Sequence, residues 1–220
     1  MKMTLRALAV TLLAASLGAA CGYTDPGDGS HTLEVQATLA YGIAKDSTKM
    51  KVDVKAGNAA AANATVTLTD ADTNATFILP AKGSSGSYQL EQTGYHRRLQ
   101  LKVESGNDTL TCQIEAPGRH TLKAPSQGAV VNIGQGLEVA WSTEDGVRSD
   151  KVSVKLKSSP QGPWSTGTDS GSYGLPANVL VAGPEVVTVT RTNQVIPAGG
   201  AGTSFVTASY EVEGAFTVQP

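Results

Sequence analysis

The three histidines are the residues best suited to move a proton or to bind a metal ion. His31 follows a polar N-terminal segment, His96 precedes a pair of arginines, and His120 lies in a stretch bounded by prolines. An enzyme needs a nucleophile, a base or a metal ion that is held close to specific partner side chains. None of these histidines has another histidine, a cysteine or a carboxylate at metal-ligand spacing, so they do not support a catalytic or metal centre.

Two serine-containing segments are superficially similar to nucleophile motifs. Thr168-Asp169-Ser170-Gly171 has the Asp-Ser-Gly order of a serine-protease motif, but it lacks the preceding glycine and an upstream histidine motif. Gly83-Ser84-Ser85-Gly86 is not a nucleophile elbow, because Ser87 stands where the final glycine is required. We interpret the first segment as a polar hairpin turn and predict that the protein is not an enzyme. A hydrolase with an unrecognised site is the alternative.

An acidic segment repeats part of a calcium-binding loop. Asp70, Asp72 and Asn74 alternate along the chain, as the first three side-chain ligands of such a loop do. The sixth position is Ala75 instead of glycine, and the twelfth is Ala81 instead of glutamate. Hairpin turns rich in Asp and Asn have the same residues. We therefore predict a turn here, with no metal ion and no cofactor.

The candidates for binding are one cationic segment and one aromatic loop residue. Tyr95, His96, Arg97 and Arg98 form the densest cationic patch and precede a predicted strand. They could hold a phosphate, an acidic sugar or a partner's carboxylate, or they could be an ordinary solvated strand end. Trp164 lies in a loop rich in Pro and Gly, where it either contacts a sugar or partner or closes the end of the fold.

The N-terminus has the pattern of an export signal. A basic segment precedes the uncharged stretch from Ala7 to Ala20, which is shorter than the roughly 20 residues that span a bilayer as a helix. Gly18-Ala19-Ala20-Cys21 resembles a bacterial lipoprotein signal, and that resemblance implies that Cys21 becomes the lipid-modified first residue. Gly22 is not the Asp that retains such proteins in the inner membrane, so the resemblance implies the outer membrane or cell surface. Ordinary cleavage after Ala20 is the alternative and would give a periplasmic or secreted protein.

Cys112 is the only cysteine besides Cys21. It shares one strand face with Leu110 and Ile114, which favours a buried thiol that packs as a small apolar side chain. The even number of cysteines in an exported chain also permits a disulfide. A bridge between the two cysteines would exclude a lipid at Cys21.

Composition excludes a nucleic-acid binder. The chain of 220 residues has 17 Lys and Arg against 19 Asp and Glu, for a net charge of −2. Removal of residues 1–20 takes away Lys2 and Arg6, which leaves 15 basic residues and a net charge of −4. This charge is too small and of the wrong sign for a phosphate backbone. Roughly 200 mature residues suit one large domain or two small domains.

Hydrophobic periodicity predicts an all-β fold. Apolar residues alternate with polar ones over short runs that Gly, Asn, Asp and Ser separate, and the run through Leu99, Leu101 and Val103 is the clearest. Period two over short runs is typical of half-buried antiparallel strands. We predict a signal peptide over 1–20, a flexible tether over 21–31 and two consecutive β-sandwiches over 32–124 and 125–220. The boundary lies near Pro125, because proline favours edges and linkers.

Two family resemblances refine this fold. Ala56-Gly57, Ala64-Thr65-Val66-Thr67-Leu68 and Gly86-Ser87-Tyr88-Gln89-Leu90 resemble the carboxypeptidase-regulatory or transthyretin-like sandwich module, over about residues 49–104. Residues 125–218 are similar to fibronectin-III-like and other Ig-like modules, through Pro125, the strand from Leu137 to Trp141, and Gly171-Ser172-Tyr173. These resemblances imply spacing and binding modules without catalytic residues.

Together these patterns predict a lipid-anchored cell-envelope protein with a non-catalytic binding or structural role. Its expected partners are the membrane, through the lipid, and an envelope protein or a glycan. A carbohydrate-binding surface module that uses Trp164 and the arginines is one alternative. An accessory subunit of an envelope assembly, paired through edge strands, is the other.

Overall fold

The computed structural model describes residues 22–24, 33–143 and 146–220. Only the backbone of residues 22–24 is described. The predicted signal peptide, Cys21 and most of the predicted tether lie outside the described residues.

The described chain is built almost entirely from β-strands, which confirms the all-β prediction. The strands are short and separated by turns, apart from two long ones near the C-terminus. In chain order they are β1 (Gly22–Thr24), β2 (Leu33–Gly42), β3 (Ser47–Ala56), β4 (Ala59–Ala60), β5 (Thr65–Asp70), β6 (Thr76–Ile78), β7 (Ser87–Thr93), β8 (Arg98–Ser105), β9 (Asp108–Glu115), β10 (His120–Ala124), β11 (Val130–Asn132), β12 (Leu137–Thr143), β13 (Lys151–Leu156), β14 (Trp164–Thr166), β15 (Ser172–Leu175), β16 (Gly183–Val195) and β17 (Phe205–Gln219). One 3-10 turn, Ala177–Val179, follows β15. Within these ranges no helix has the length and apolarity needed to cross a membrane.

The first sandwich encloses a core between two sheets. One sheet has the order β1-β9-β8-β5-β6, and β2, β3 and β7 belong to the facing sheet. Because side chains alternate along a strand, every second residue of β2 and β3 points inward. Leu33, Val35, Met50 and Val52 are each at most 1% exposed and pack in one cluster with Leu101 from the opposite sheet.

The second sandwich is built in the same way. The sheet β10-β12-β15 faces β13, β16 and the C-terminal half of β17. Trp141 of β12 is 3% exposed and packs in this core with Val154, Val189 and Phe216.

A single strand, β17, belongs to both sandwiches. Its first half pairs in parallel with β2, from Phe205 opposite Gln36 to Glu211 opposite Gly42. All of β17 except its two terminal residues pairs with β16, in an antiparallel ribbon that runs from Val195 and Val206 to Gly183 and Val218. One nine-stranded sheet therefore runs through the molecule and supplies one wall of each core.

The predicted boundary near Pro125 does not separate the two cores. Val206 and Ala208, from the predicted second domain, are buried in the first core, and Val195 packs against it. The physical reason is the length of the β16–β17 ribbon, which extends past its own sandwich and pairs with β2. Sequence periodicity places strands but does not report which of them pair across the chain.

The segment predicted as a flexible tether contains a short strand. Residues 22–24 pair with β9, with Gly22 opposite Thr111, which satisfies backbone groups at an otherwise open sheet edge. The alternation around Cys112 correctly indicates burial, since this residue is 1% exposed. Cys112 is disulfide-bonded and is not the buried thiol that its alternation favoured. Periodicity indicates that a residue is buried, but it carries no information about the bonding of a sulfur atom.

Candidate functional site

His96 forms a carboxylate–imidazole pair with Asp70. The Nδ1 atom of His96 lies 2.7 Å from Oδ2 of Asp70, and both side chains are largely buried. Burial raises the pKa of the Asp70 carboxyl, but hydrogen bonds from His96 and from the backbone N–H groups of Asp72 and Thr73 outweigh it and hold this pKa below its usual value. An imidazole oriented by a carboxylate can act as a base when its other nitrogen faces a nucleophile.

The second nitrogen of His96 faces no such group. Its Nε2 atom is buried without a hydrogen-bond partner among the described residues, and the ring packs edge-on against Phe77 with centroids 5.0 Å apart. The pair therefore holds the β5–β6 turn to the segment before β8.

The same contacts account for the calcium-like segment. Asp70 accepts hydrogen bonds through Oδ1 from the N–H groups of Asp72 and Thr73, at 2.8 and 3.2 Å. Asn74 adopts a left-handed φ of 60° at the turn. The carboxylate of Asp70 is thus committed to a turn and to His96, in agreement with the hairpin prediction.

The two arginines of the cationic segment form ion pairs with nearby carboxylates. Arg97 Nε donates to Glu115 Oε1 at 2.8 Å, and Arg98 pairs with Asp72. These are the contacts of a solvated strand end, and they occupy the charges that a phosphate or acidic sugar would need. The structure does not bring the four predicted residues together as one anion site.

Tyr95 belongs to an aromatic cluster between the sandwiches. Its ring packs edge-on against Tyr41 and Tyr210, with centroids 5.4 and 5.3 Å apart. Its hydroxyl donates to the carbonyl oxygen of Pro117 at 2.7 Å, and the guanidinium of Arg119 lies 5.3 Å from its ring centre. Tyr95 is therefore a junction residue.

Trp164 lies on the edge strand β14 opposite Val154. It is half-buried and packs against the second core. Gly162 fits beneath its indole, since a Cβ atom there would lie 3.0 Å from the ring. These contacts favour closure of the sandwich edge over a projecting sugar contact.

A buried ion pair that the sequence analysis missed joins several segments of the second sandwich. Arg191 Nε donates to Asp169 Oδ2 at 2.8 Å, and their side chains are 0% and 2% exposed. Asp169 also accepts from Trp141 Nε1 at 2.9 Å and from the backbone N–H of Ser149 at 3.0 Å. Burial raises the pKa of Asp169, but the hydrogen bonds from Trp141 and Arg191 outweigh it and lower the pKa. Asp169 holds structure here, and Ser170 is an exposed turn residue.

His120 completes the junction. It is 0% exposed, lies 4.9 Å from the ring of Tyr210, and has Nε2 3.4 Å from the carbonyl oxygen of Val189. Burial, together with the nearby positive charge of Arg191, lowers the pKa of His120 to about 4. Arg191 also donates to the carbonyl oxygen of Gly118 at 2.5 Å. The only sequence signal for this arrangement was a histidine between prolines, which does not identify its distant neighbours.

The chain matches no protein-family model and no curated protein. Among solved structures it is similar to the CbhA fibronectin(III)-like modules of Clostridium thermocellum, with 12% identity, a TM-score of 0.30, and coverage of 85% of this chain and 94% of that one. A segment of two fibronectin type-III domains from chicken tenascin has 13% identity, a TM-score of 0.27, and coverage of 90% and 98%. A bacterial ice-binding adhesin has 15% identity, a TM-score of 0.29, and coverage of 84% and 66%.

These similarities are too low to carry an argument about function. The description of the chain as two β-sandwiches rests on its own sheet pairing and cores. The resemblance of residues 49–104 to the carboxypeptidase-regulatory or transthyretin-like module stays a prediction.

Proposed function

We propose that this chain is an exported, non-catalytic protein of the cell envelope, in which two fused β-sandwiches form a rigid scaffold that presents a binding surface. The observation that carries the proposal is strand β17, which pairs with β2 of the first sandwich and with β16 of the second. Two domains that share a continuous strand cannot reorient as domains on a flexible linker do. Rigidity of this kind suits a spacer or a display role.

The path of β17 supports a separation between the attached end and the end that presents a surface. Leu33, the first residue of β2, lies three residues before Gln36, where the pairing of β2 with β17 begins. From that level to Thr217 near the end of β17 the sheet extends about 50 Å, at roughly 3.3 Å per residue. A scaffold held by its N-terminal segment would therefore present the far loops of the second sandwich.

The sulfur of Cys21 decides how the scaffold is attached. The lipoprotein-like residues Gly18-Ala19-Ala20-Cys21 support a lipid that anchors the protein in the outer membrane. The disulfide of Cys112 supports a second form, because Cys21 is the only other cysteine and its sulfur cannot carry both groups. The second form would be periplasmic or secreted. An envelope protein or a glycan is the proposed partner in either form.

The intact mass of protein recovered from fractionated cells tests export and attachment together. Both forms predict a chain that begins at Cys21 in the envelope or medium. The bridged form is lighter than the reduced chain by two hydrogen atoms, and the anchored form is heavier by a diacylglycerol, with or without an additional acyl group. An unprocessed chain from Met1 in the cytoplasm would contradict the proposal.

A further inference from the structure

Strand β11 lies at an open edge of the nine-stranded sheet. It covers Val130–Asn132 and pairs in parallel with the C-terminal part of β17. On either side of this strand, the N–H of Thr217 donates to the carbonyl oxygen of Ala129, and the N–H of Ile133 donates to that of Gln219. The odd-numbered residues of this stretch therefore direct their backbone groups towards β17.

The even-numbered residues of β11 leave backbone groups open. Alternate residues of a strand direct these groups to opposite sides, so Val130 and Asn132 face away from β17. Among the described residues, no backbone hydrogen bond involves the N–H or C=O group of Val130, or the N–H group of Asn132. The carbonyl oxygen of Asn132 accepts from Gln135 at 3.0 Å and has a second lone pair. Solvent reaches this edge, because Val130 is 58% exposed.

Other edges of the described sheets are protected against pairing. Proline and charged residues are the usual means of blocking an edge strand. Strands β6, β10, β14 and β15 each have a proline within two residues, and β9 is covered by β1. Strand β7 has backbone hydrogen bonds to residues 80–82. Residues 126–136, which contain β11, include neither a proline nor a charged residue, so this edge is free to pair.

A second copy of the chain suits this edge. In a two-fold contact each residue near the axis meets its own counterpart, so a charged residue there would repel itself. The uncharged stretch at 126–136 avoids that repulsion. An antiparallel pairing centred on Val131 sets Val130 opposite Asn132 of the second copy. The open N–H and C=O groups of the two copies can then form four hydrogen bonds with one another.

The residues around β11 leave room for this approach. The same register sets Gly128 opposite Gly134 of the second copy. A Cβ atom at either glycine would meet nothing within 4 Å, so no side chain of the chain itself obstructs the pairing there. Val130 and Asn132 of the second copy would have Cβ atoms about 4.5–5.5 Å apart, which covers the exposed valine.

We propose that β11 pairs with β11 of a second copy, antiparallel and with the two-fold axis at Val131, so that the two nine-stranded sheets join. Three residues on each side bury far less than the roughly 1,200 Å² of a stable interface. We therefore expect a weak dimer, with a Kd on the order of 0.1–1 mM. This inference goes beyond the proposed scaffold and does not depend on how the chain is attached.

Sedimentation equilibrium of the mature chain tests the dimer. Cys21→Ser removes the site of the lipid, and a reducing agent keeps Cys112 from forming a disulfide. The average mass should rise towards that of a dimer as the concentration increases from about 0.01 to 1 mM. Over the same range, hydrogen exchange at the amides of Val130 and Asn132 should slow severalfold, whereas the amide of Val131, which faces β17, should not change.

Two variants disrupt the pairing and one serves as their control. Val130→Lys should weaken association at least tenfold, because it brings two like charges close to the axis. Asn132→Pro should weaken it as well, because it removes an N–H group that lies on the open side of the strand. Ile78→Lys adds the same charge at a residue of edge strand β6 that is 70% exposed, and it should leave association unchanged. Far-UV circular dichroism checks the fold of each variant.

Three results would overturn the assignment. They are a chain that stays monomeric up to the highest concentration, association that survives Val130→Lys, and equal weakening by Ile78→Lys. The first result would leave a strand of another protein as the occupant of the edge, and the third would move the contact elsewhere. Each leaves the scaffold proposal standing, because that proposal is tested by intact mass and by cooperative unfolding.

Discussion

Tyr41 and Tyr210 lie directly opposite each other in the parallel pairing of β2 with β17, with their ring centres 4.8 Å apart. Tyr41 belongs to β2 of the first sandwich, and Tyr210 belongs to β17, the last strand of the chain. Tyr95 packs on both rings, and His120 packs on Tyr210 from the segment that links the sandwiches. The junction is therefore a packed aromatic core, which couples the stability of one sandwich to that of the other.

The buried ion pair predicts a large loss of stability when one partner is removed. Asp169→Asn should lower the free energy of unfolding by about 3–5 kcal/mol, because it leaves the guanidinium of Arg191 buried without its counter-charge. Glu115→Gln is the control, since that side chain is 47% exposed in its pair with Arg97, and its cost should stay within about 1 kcal/mol. Denaturant unfolding measures both. Equal losses of unfolding free energy in the two variants would contradict this account of the buried ion pair.

His120 predicts a loss of stability in mildly acidic solution. Its pKa is lowered to about 4 in the folded protein, whereas an unfolded histidine titrates near 6.5. Between these values the unfolded chain binds more protons than the folded chain. The stabilisation is therefore complete above about pH 6.5 and is lost as the pH falls towards 4, by about 3 kcal/mol in total.

The variant His120→Leu isolates this effect. Leucine is apolar and cannot titrate, so the free energy of unfolding in the variant should depend less on pH between 6.5 and 4 than it does in the wild-type protein. The comparison is made by denaturant unfolding across that range. Parallel curves for the two proteins would show that His120 does not titrate as its burial requires.

Two glycines in one loop predict different responses to the same substitution. Gly83 and Gly86 both have positive φ, of 70° and 71°. A Cβ atom at Gly83 would meet nothing within 4 Å, whereas one at Gly86 would lie 2.4 Å from the carbonyl oxygen of Val54. Gly83→Ala should cost about 1–2 kcal/mol for its backbone conformation. Gly86→Ala should cost about 1–3 kcal/mol more, because a backbone atom has to move; equal thermal midpoints would contradict this.

The strands were predictable from the sequence because burial on one face imposes period two. Leu99, Leu101 and Val103 alternate as expected and are at most 2% exposed. Gly214 lies inside β17, and its pairing with Val187 of β16 is regular. A glycine is needed there for packing, because a Cβ atom at this position would lie 2.2 Å from Cδ2 of Leu122. Periodicity alone does not reveal that contact.

Contacts between side chains that are far apart in the chain could not be predicted from the sequence. Arg97 and Glu115 are far apart in the chain, so a local charge count registered a cationic patch where the fold forms ion pairs. Glu185 is an isolated carboxylate in the sequence, and only the packing around it shows that one oxygen is buried without a donor. Periodicity describes a strand's own faces and carries no information about contacts between distant segments.

Cooperative unfolding tests the central claim, that a shared strand fuses the two sandwiches into one scaffold. Leu101 is 0% exposed in the first core, whereas both tryptophans of the chain, Trp141 and Trp164, lie in the second sandwich. In Leu101→Ala, which should cost about 2–5 kcal/mol, the transition detected by tryptophan fluorescence should move to lower denaturant and coincide with the one detected by far-UV circular dichroism. A fluorescence transition that stays at its wild-type midpoint, while circular dichroism shows an earlier loss of the first sandwich, would contradict the claim.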